Sequence, residues 1–164
     1  MDSYSLLVAT YFIAFCCYAA HLPGQEGTIE HVYNVPGGPT RPASAGLHQY
    51  FARNAPPFEL AAGEQVIVLN AIRKVCDYKN WPLHAAHVRT NHVHTVVSSD
   101  RAPELVMNAF KAYASRALNR EGPSRPRWAR HGSTRHLWSK ESVEAAVRYV
   151  LEKQGDPMAC YAGL

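Results

Sequence analysis

The sequence predicts an α+β fold, a mostly antiparallel sheet with helices packed against it. Runs rich in β-branched and aromatic residues occur at residues 6–19 and in "WPLHAAHVRTNHVHTVVSS", which divides at a tight turn near residues 89–91. Three other segments carry apolar residues at the three-and-four spacing of amphipathic helices. The elements run strand, helix, strand, strand, helix, short strand, helix, with no internal repeat. One sheet covered by helices accommodates that order.

Residues 6–19 form the first strand. The stretch Ser3 to Ala20 is uncharged, but Asp2 is the only early charge, so the basic start of an export signal is missing. The stretch is also short for a bilayer, so a buried strand is expected and no membrane association. "HLPGQEGTIEHV" turns at Pro23–Gly24 and returns as a short strand about residues 28–33. Residues 34–57 hold much of the proline and glycine, a long connection of the kind that often carries function.

The first helix spans about 61–78, with Val66, Leu69, Ile72, Arg73 and Cys76 marking its stripe. Asp100 and Pro103 announce a second, about 103–119, whose face holds Val106, Phe110, Tyr113, Ala114 and Ala117. "REGPSRPRWARHGSTRHLW" reads as a basic loop with a short strand, and its "HGST" as a turn. Ser139 is placed to cap a last helix, about 140–153, which ends near Gly155 and Pro157. Val143, Ala146, Val147 and Val150 form its buried stripe, and Tyr149 falls at the border.

The 164 residues are expected to make one domain, 1–164, since 47% are hydrophobic and only 18% charged. A net charge of +4 with nine neutral histidines permits an anionic partner without requiring one. Cys16, Cys17, Cys76 and Cys160 form no CxxC pair, which suits a reducing cytoplasm. No carboxylate-rich cluster suggests a metal-dependent hydrolase.

In "TNHVHTVV", His92 and His94 share one face of a strand, ~7 Å apart at the backbone, with Val93 on the other face. Imidazoles so placed either converge on one divalent ion or lie in water. Two protein ligands would leave positions open to substrate, as a catalytic ion requires.

"HVRTNHVHTVVSS", "FKAYASRALN", "RWARHGSTRHLW" and "AVRYVLEKQG" follow one another at set intervals, preceded by "CCYAAHLPGQEGTIEH". From about Phe12 onward the chain resembles the single-tyrosine transposases of the HUH endonuclease superfamily. These are insertion-sequence-type enzymes, with relatives associated with repetitive extragenic palindromes. The resemblance implies a ferredoxin-like fold of the HUH-endonuclease type. It implies that His92 and His94 hold Mg²⁺ or Mn²⁺ and that Tyr149 attacks a phosphate of single-stranded or hairpin DNA. The product would be a 5′-phosphotyrosine link. Gln154 is the implied third ligand. It lies five residues after Tyr149, ~140° out of alignment on an ideal helix, so the last turn must loosen; Lys153 is the alternative, as a phosphate contact.

Basic residues suited to DNA are Lys111, Arg116 and Arg120, then Arg125, Arg127, Arg130 and Arg135, with Arg41 and Arg53 in the early connection. Trp128 and Trp138 lie among them, either as core or as stacking platforms. The resemblance leaves monomer and homodimer open. It also leaves a second possibility, a non-cleaving DNA-binding protein of the same fold that serves its host. Either would work in the cytoplasm, at the nucleoid when on DNA.

Overall fold

A computed structural model describes residues 7–20 and 57–163. The elements are β1 (Ala9–Cys17), α1 (Ala62–Lys79), β2 (Leu83–Val88), β3 (His92–Ser99), α2 (Pro103–Glu121), β4 (Trp128–Leu137), α3 (Lys140–Glu152) and β5 (Ala159–Ala162). The return strand at 28–33, almost all of the 34–57 connection, Arg41 and Arg53 lie outside the described residues.

The strands form one sheet in the order β4-β1-β3-β2-β5, every neighbouring pair antiparallel. The run β1-α1-β2-β3-α2-β4 with the order β4-β1-β3-β2 is the ferredoxin-like arrangement. β5 extends the sheet beyond β2, and α3 lies across the opposite face from α1 and α2.

Alternation along β1 and β3 builds both faces. Ile13 and Phe15 of β1 and Val93 and Val97 of β3 meet Val68 and Ile72 of α1 and Val106 and Phe110 of α2 in the main core. All eight are essentially solvent-free, each contributing roughly 1.5–3 kcal/mol of transfer free energy. The other face holds a smaller cluster, Ala85, Val96, Leu137, Ala146 and Val150, with Phe12, Val143 and Val147 half-buried against it.

Two expectations need correcting here. "RWARHGSTRHL" is no loop and "HGST" no turn: β4 runs ten residues through both. It is an edge strand bonded only to β1, so its side chains stay largely exposed and polar, and the strand signal is weak. Gly132 is needed because a Cβ there would come within 2.5 Å of Ala14 O and Met107 Sδ. In α1, Val66 is 49% exposed and Arg73 is exposed. They lie seven residues apart, outside the buried arc that runs through Val68, Leu69, Ile72 and Val75, and the Arg73 guanidinium lies over the Tyr161 ring at the edge of the sheet. β5 was not anticipated; four residues give too short a pattern. No described helix is long and apolar enough to cross a membrane.

Candidate active site

His92 and His94 emerge from β3 on the face that α3 partly covers, and Val93 and Thr95 enter the main core. On β1, the partners opposite His94 and His92 are Ala14 and Cys16. These small side chains leave room for both imidazoles, whose centroids lie 4.9 Å apart.

α3 brings in the phenol. Ser139 Oγ accepts from the Ser142 amide, and Ser142 Oγ accepts from the Ser139 amide, so the helix start is closed reciprocally. Ala146 and Val150 bury inward. Tyr149, at the edge of that stripe, is 45% exposed. Its ring stands edge-on to His94 at 5.8 Å and to Phe12 at 5.9 Å, while Phe12 lies 5.4 Å from His94. The described chain thus brings phenol and imidazoles together within one protomer.

Gln154 reaches the same place. The helix stops at Glu152, and Lys153 leaves helical geometry while its amide still donates to Tyr149 O at 3.1 Å. Gly155 at φ 78° completes the bend, a left-handed conformation that glycine adopts without strain. Gln154 Oε1 lies 3.4 Å from His92 Nε2. Lys153 is exposed at the helix end.

Two clamps fix this bend to β2. His87 is fully buried: Nδ1–H donates to Val150 O at 3.0 Å, and Nε2 accepts from the Met158 amide at 3.0 Å. One neutral tautomer satisfies both bonds, in keeping with a pKa lowered chiefly by burial. Arg89 Nη1 donates to Asp156 O at 3.0 Å. The segment carrying Gln154 is therefore tied on both sides.

His94 is pushed down to about 4, first by burial and then by neighbouring His92; the Gln154 side chain works the other way. It is neutral near pH 7 and able to donate a lone pair. Its Nδ1 is buried with no hydrogen-bond partner among the described residues. His92 Nδ1 lies 2.7 Å from Asn91 Oδ1. If that nitrogen donates, the Nε2 lone pair faces Gln154 Oε1, two acceptors converging as ligands around a cation do. Two imidazoles and an amide oxygen suit a divalent ion that leaves positions for substrate. Among the described residues no three His, Cys, Asp or Glu side chains gather into a fuller set.

The basic residues separate. Arg127 is only 5% exposed and its Nη2 donates to Asn119 Oδ1 and Pro123 O, so it holds the α2–β4 connection and is not placed to meet DNA. Lys111 Nζ donates to the carbonyls of Ala129, Arg130 and His131, pinning the irregular start of β4. Arg127 is diverted by burial, because a buried cation must find acceptors, and half-buried Lys111 by the carbonyls it meets. Arg116 sits over the Tyr113 ring and, with Lys74 and Arg120, lines a groove between α1 and α2 on the far side of the sheet from Tyr149. Arg130 and Arg135 are exposed on β4, and Arg135 lies over the Phe12 ring at 5.4 Å.

The two tryptophans also part. Trp128 packs edge-on to Phe15 and its indole donates to Lys111 O and Ser115 Oγ. Trp138 is 84% exposed. Sequence reasoning missed Phe12, His87 and Arg89. Only the neighbouring strand pattern hinted at the first, and nothing local marked the other two.

Fold and site together define the class, a ferredoxin-like domain of the HUH type with His92–Val93–His94 on its central strand. The chain belongs to the IS200-like transposase family, whose profile matches residues 62–150, more than half of its length. His92, His94 and Tyr149 fall inside that stretch, and Gln154 beyond it. Among solved structures, the chain is similar to a REP-associated tyrosine transposase bound to a REP hairpin. That match has a TM-score of 0.52 and 12% identity, covering 93% of this chain and 72% of the other, and it is a likeness of fold. No curated protein sequence matches the chain.

Proposed function

We propose that the protein is a metal-dependent enzyme that nicks and rejoins single-stranded or hairpin DNA, with Tyr149 as nucleophile. One observation carries this reading: the His94 imidazole stands against both His92 and the Tyr149 ring, and Gln154 reaches His92 beside them. Membership of a transposase family supports it.

His92 and His94, with Gln154, would hold the ion and orient it by their fixed rotamers. Mg²⁺ or Mn²⁺ bound there supplies Lewis acidity at the scissile phosphate. Tyr149 Oη attacks phosphorus in line. The Oη–P bond forms as the P–O3′ bond breaks, the phenol releases its proton to water, and the departing 3′ oxygen takes one up. The result is a 5′-phosphotyrosine link and a free 3′-hydroxyl, and attack by a 3′-hydroxyl reverses the step without ATP. Tyr149 and His94 are in contact within one chain, so a monomer suffices for the site. The reading places the protein in the cytoplasm, at the nucleoid when engaged.

The test is a hairpin DNA incubated with the protein and Mn²⁺ or Mg²⁺. A protein–DNA adduct that survives a denaturing gel is expected, lost with chelator and with Tyr149→Phe. A wild-type protein that binds hairpins but forms no adduct on any palindrome offered would instead be a non-cleaving DNA-binding member of the fold.

A further inference from the structure

Trp138 is the most exposed aromatic side chain among the described residues, at 84%. It follows β4 and precedes the capping Ser139, where the chain turns from the sheet edge into α3. Its indole stacks on His136, centroids 4.7 Å apart and planes 7° from parallel, and His136 rests edge-on against buried Tyr11. The indole is thus backed by a ring anchored in the core, while most of its surface meets water. An unsupported exposed tryptophan has a hydrophobic cost; one held flat from behind is a ready stacking surface.

A groove of about 520 Å³ runs from this corner along α3 to the phenol, lined by Arg135, Trp138, Ser142, Ala145 and Tyr149 among others. Its walls are small or apolar, and its cation is Arg135, seated over Phe12 beside Tyr149. From Lys140 to Tyr149 the helix rises ~14 Å. That is about four stacked nucleotides at ~3.4 Å each, and fewer in an extended strand. A cation near the nucleophile and an aromatic plate farther along match the two chemistries of unpaired DNA, phosphate and base.

We propose that this groove is a subsite for unpaired DNA, in which Trp138 stacks a base a few nucleotides from the phosphate attacked by Tyr149, with Arg135 on the backbone between them. The proposal rests on the reading that the chain acts on DNA. It adds a determinant of how the strand outside a hairpin is aligned. Stacking tolerates any base, so the subsite contributes grip and register and little sequence preference.

The test uses tryptophan fluorescence and an oligothymidylate of mixed lengths, without divalent ion. Trp81 is buried and Trp128 half-buried, so Trp138 reports on solvent. Oligothymidylate should quench wild-type emission, and Trp138→Phe should remove that quenching. Trp138→Ala should weaken oligothymidylate binding about tenfold, in line with the loss of one stacked base. With a cleavable hairpin bearing a single-stranded tail, it should raise the DNA concentration for half-maximal adduct by a similar factor. Trp138→Phe should recover much of both. Wild-type affinity in Trp138→Ala would overturn the proposal. So would a change in sedimentation of Trp138→Ala with DNA binding intact, since the indole would then serve a second copy of the chain. Quenching without any adduct would retain the subsite and remove the cleavage reading; adduct without quenching would do the reverse.

Discussion

The two faces of the sheet are made by the same strands and do opposite work. Under α1 and α2, alternate residues of β1 and β3 meet a continuous apolar layer from which water is excluded. Under α3, the intervening residues of those strands meet only a small apolar cluster, and beside it Phe12, His92, His94 and Tyr149 stay partly open. Side-chain alternation makes this division possible at no cost to the backbone. One face supplies most of the burial that stabilises the fold, and the other is spared for chemistry. The lesson is that the open face needs its own positioning devices, because packing there is too thin to hold a geometry. The buried His87 and the Arg89 clamp are such devices.

Substitutions on the two faces should therefore separate activity from stability. The largest effect is expected for Tyr149→Phe. Adduct formation on hairpin DNA should fall at least about 10³-fold, as for removal of other nucleophiles, while unfolding free energy changes by less than about 0.5 kcal/mol. Gel assay and urea denaturation together check this, and a large loss of stability would mean that the phenol serves packing. Phe110→Ala on the opposite face should do the reverse. A stability loss of about 3–5 kcal/mol is expected, with adduct formation per folded molecule unchanged at a temperature where the variant remains folded.

His87 links the two kinds of effect. His87→Ala orphans the Val150 carbonyl and the Met158 amide, at about 1–3 kcal/mol for each buried group left unpaired. It should also raise the Mn²⁺ concentration needed for half-maximal adduct, since it frees the segment that carries Gln154. His87→Gln, with a donor and an acceptor of its own, should restore part of both. If metal dependence is identical in wild type and His87→Ala, the clamp serves stability alone.

The smallest effect concerns pH. His84, His87 and His94 are all lowered by burial, His94 to about 4. In the folded protein they stay neutral where the unfolded chain, with ordinary imidazole values near ~6.5, already binds protons. Stability should be flat above about pH 6.5 and decline as pH falls from there toward 4. Urea midpoints measured without divalent ion check this, and His94→Gln should make the decline shallower. A midpoint that rises on acidification would contradict the burial of these rings.

Local periodicity was enough to place the helices within two residues, to set His92 and His94 on one face, and to leave Tyr149 at the border of its stripe. These follow from repeats of 2 and 3.6 residues, which a short window reveals. The strand at the basic edge was less legible, because a strand paired on one side can be polar throughout and look like loop. Only the tertiary structure could bring Gln154 to His92 across 62 residues, bury Arg127, hold the ammonium of Lys111 against backbone carbonyls, and leave one tryptophan packed and the other in water. Those outcomes depend on what lies across the fold from each side chain, and neighbours along the chain carry no record of it.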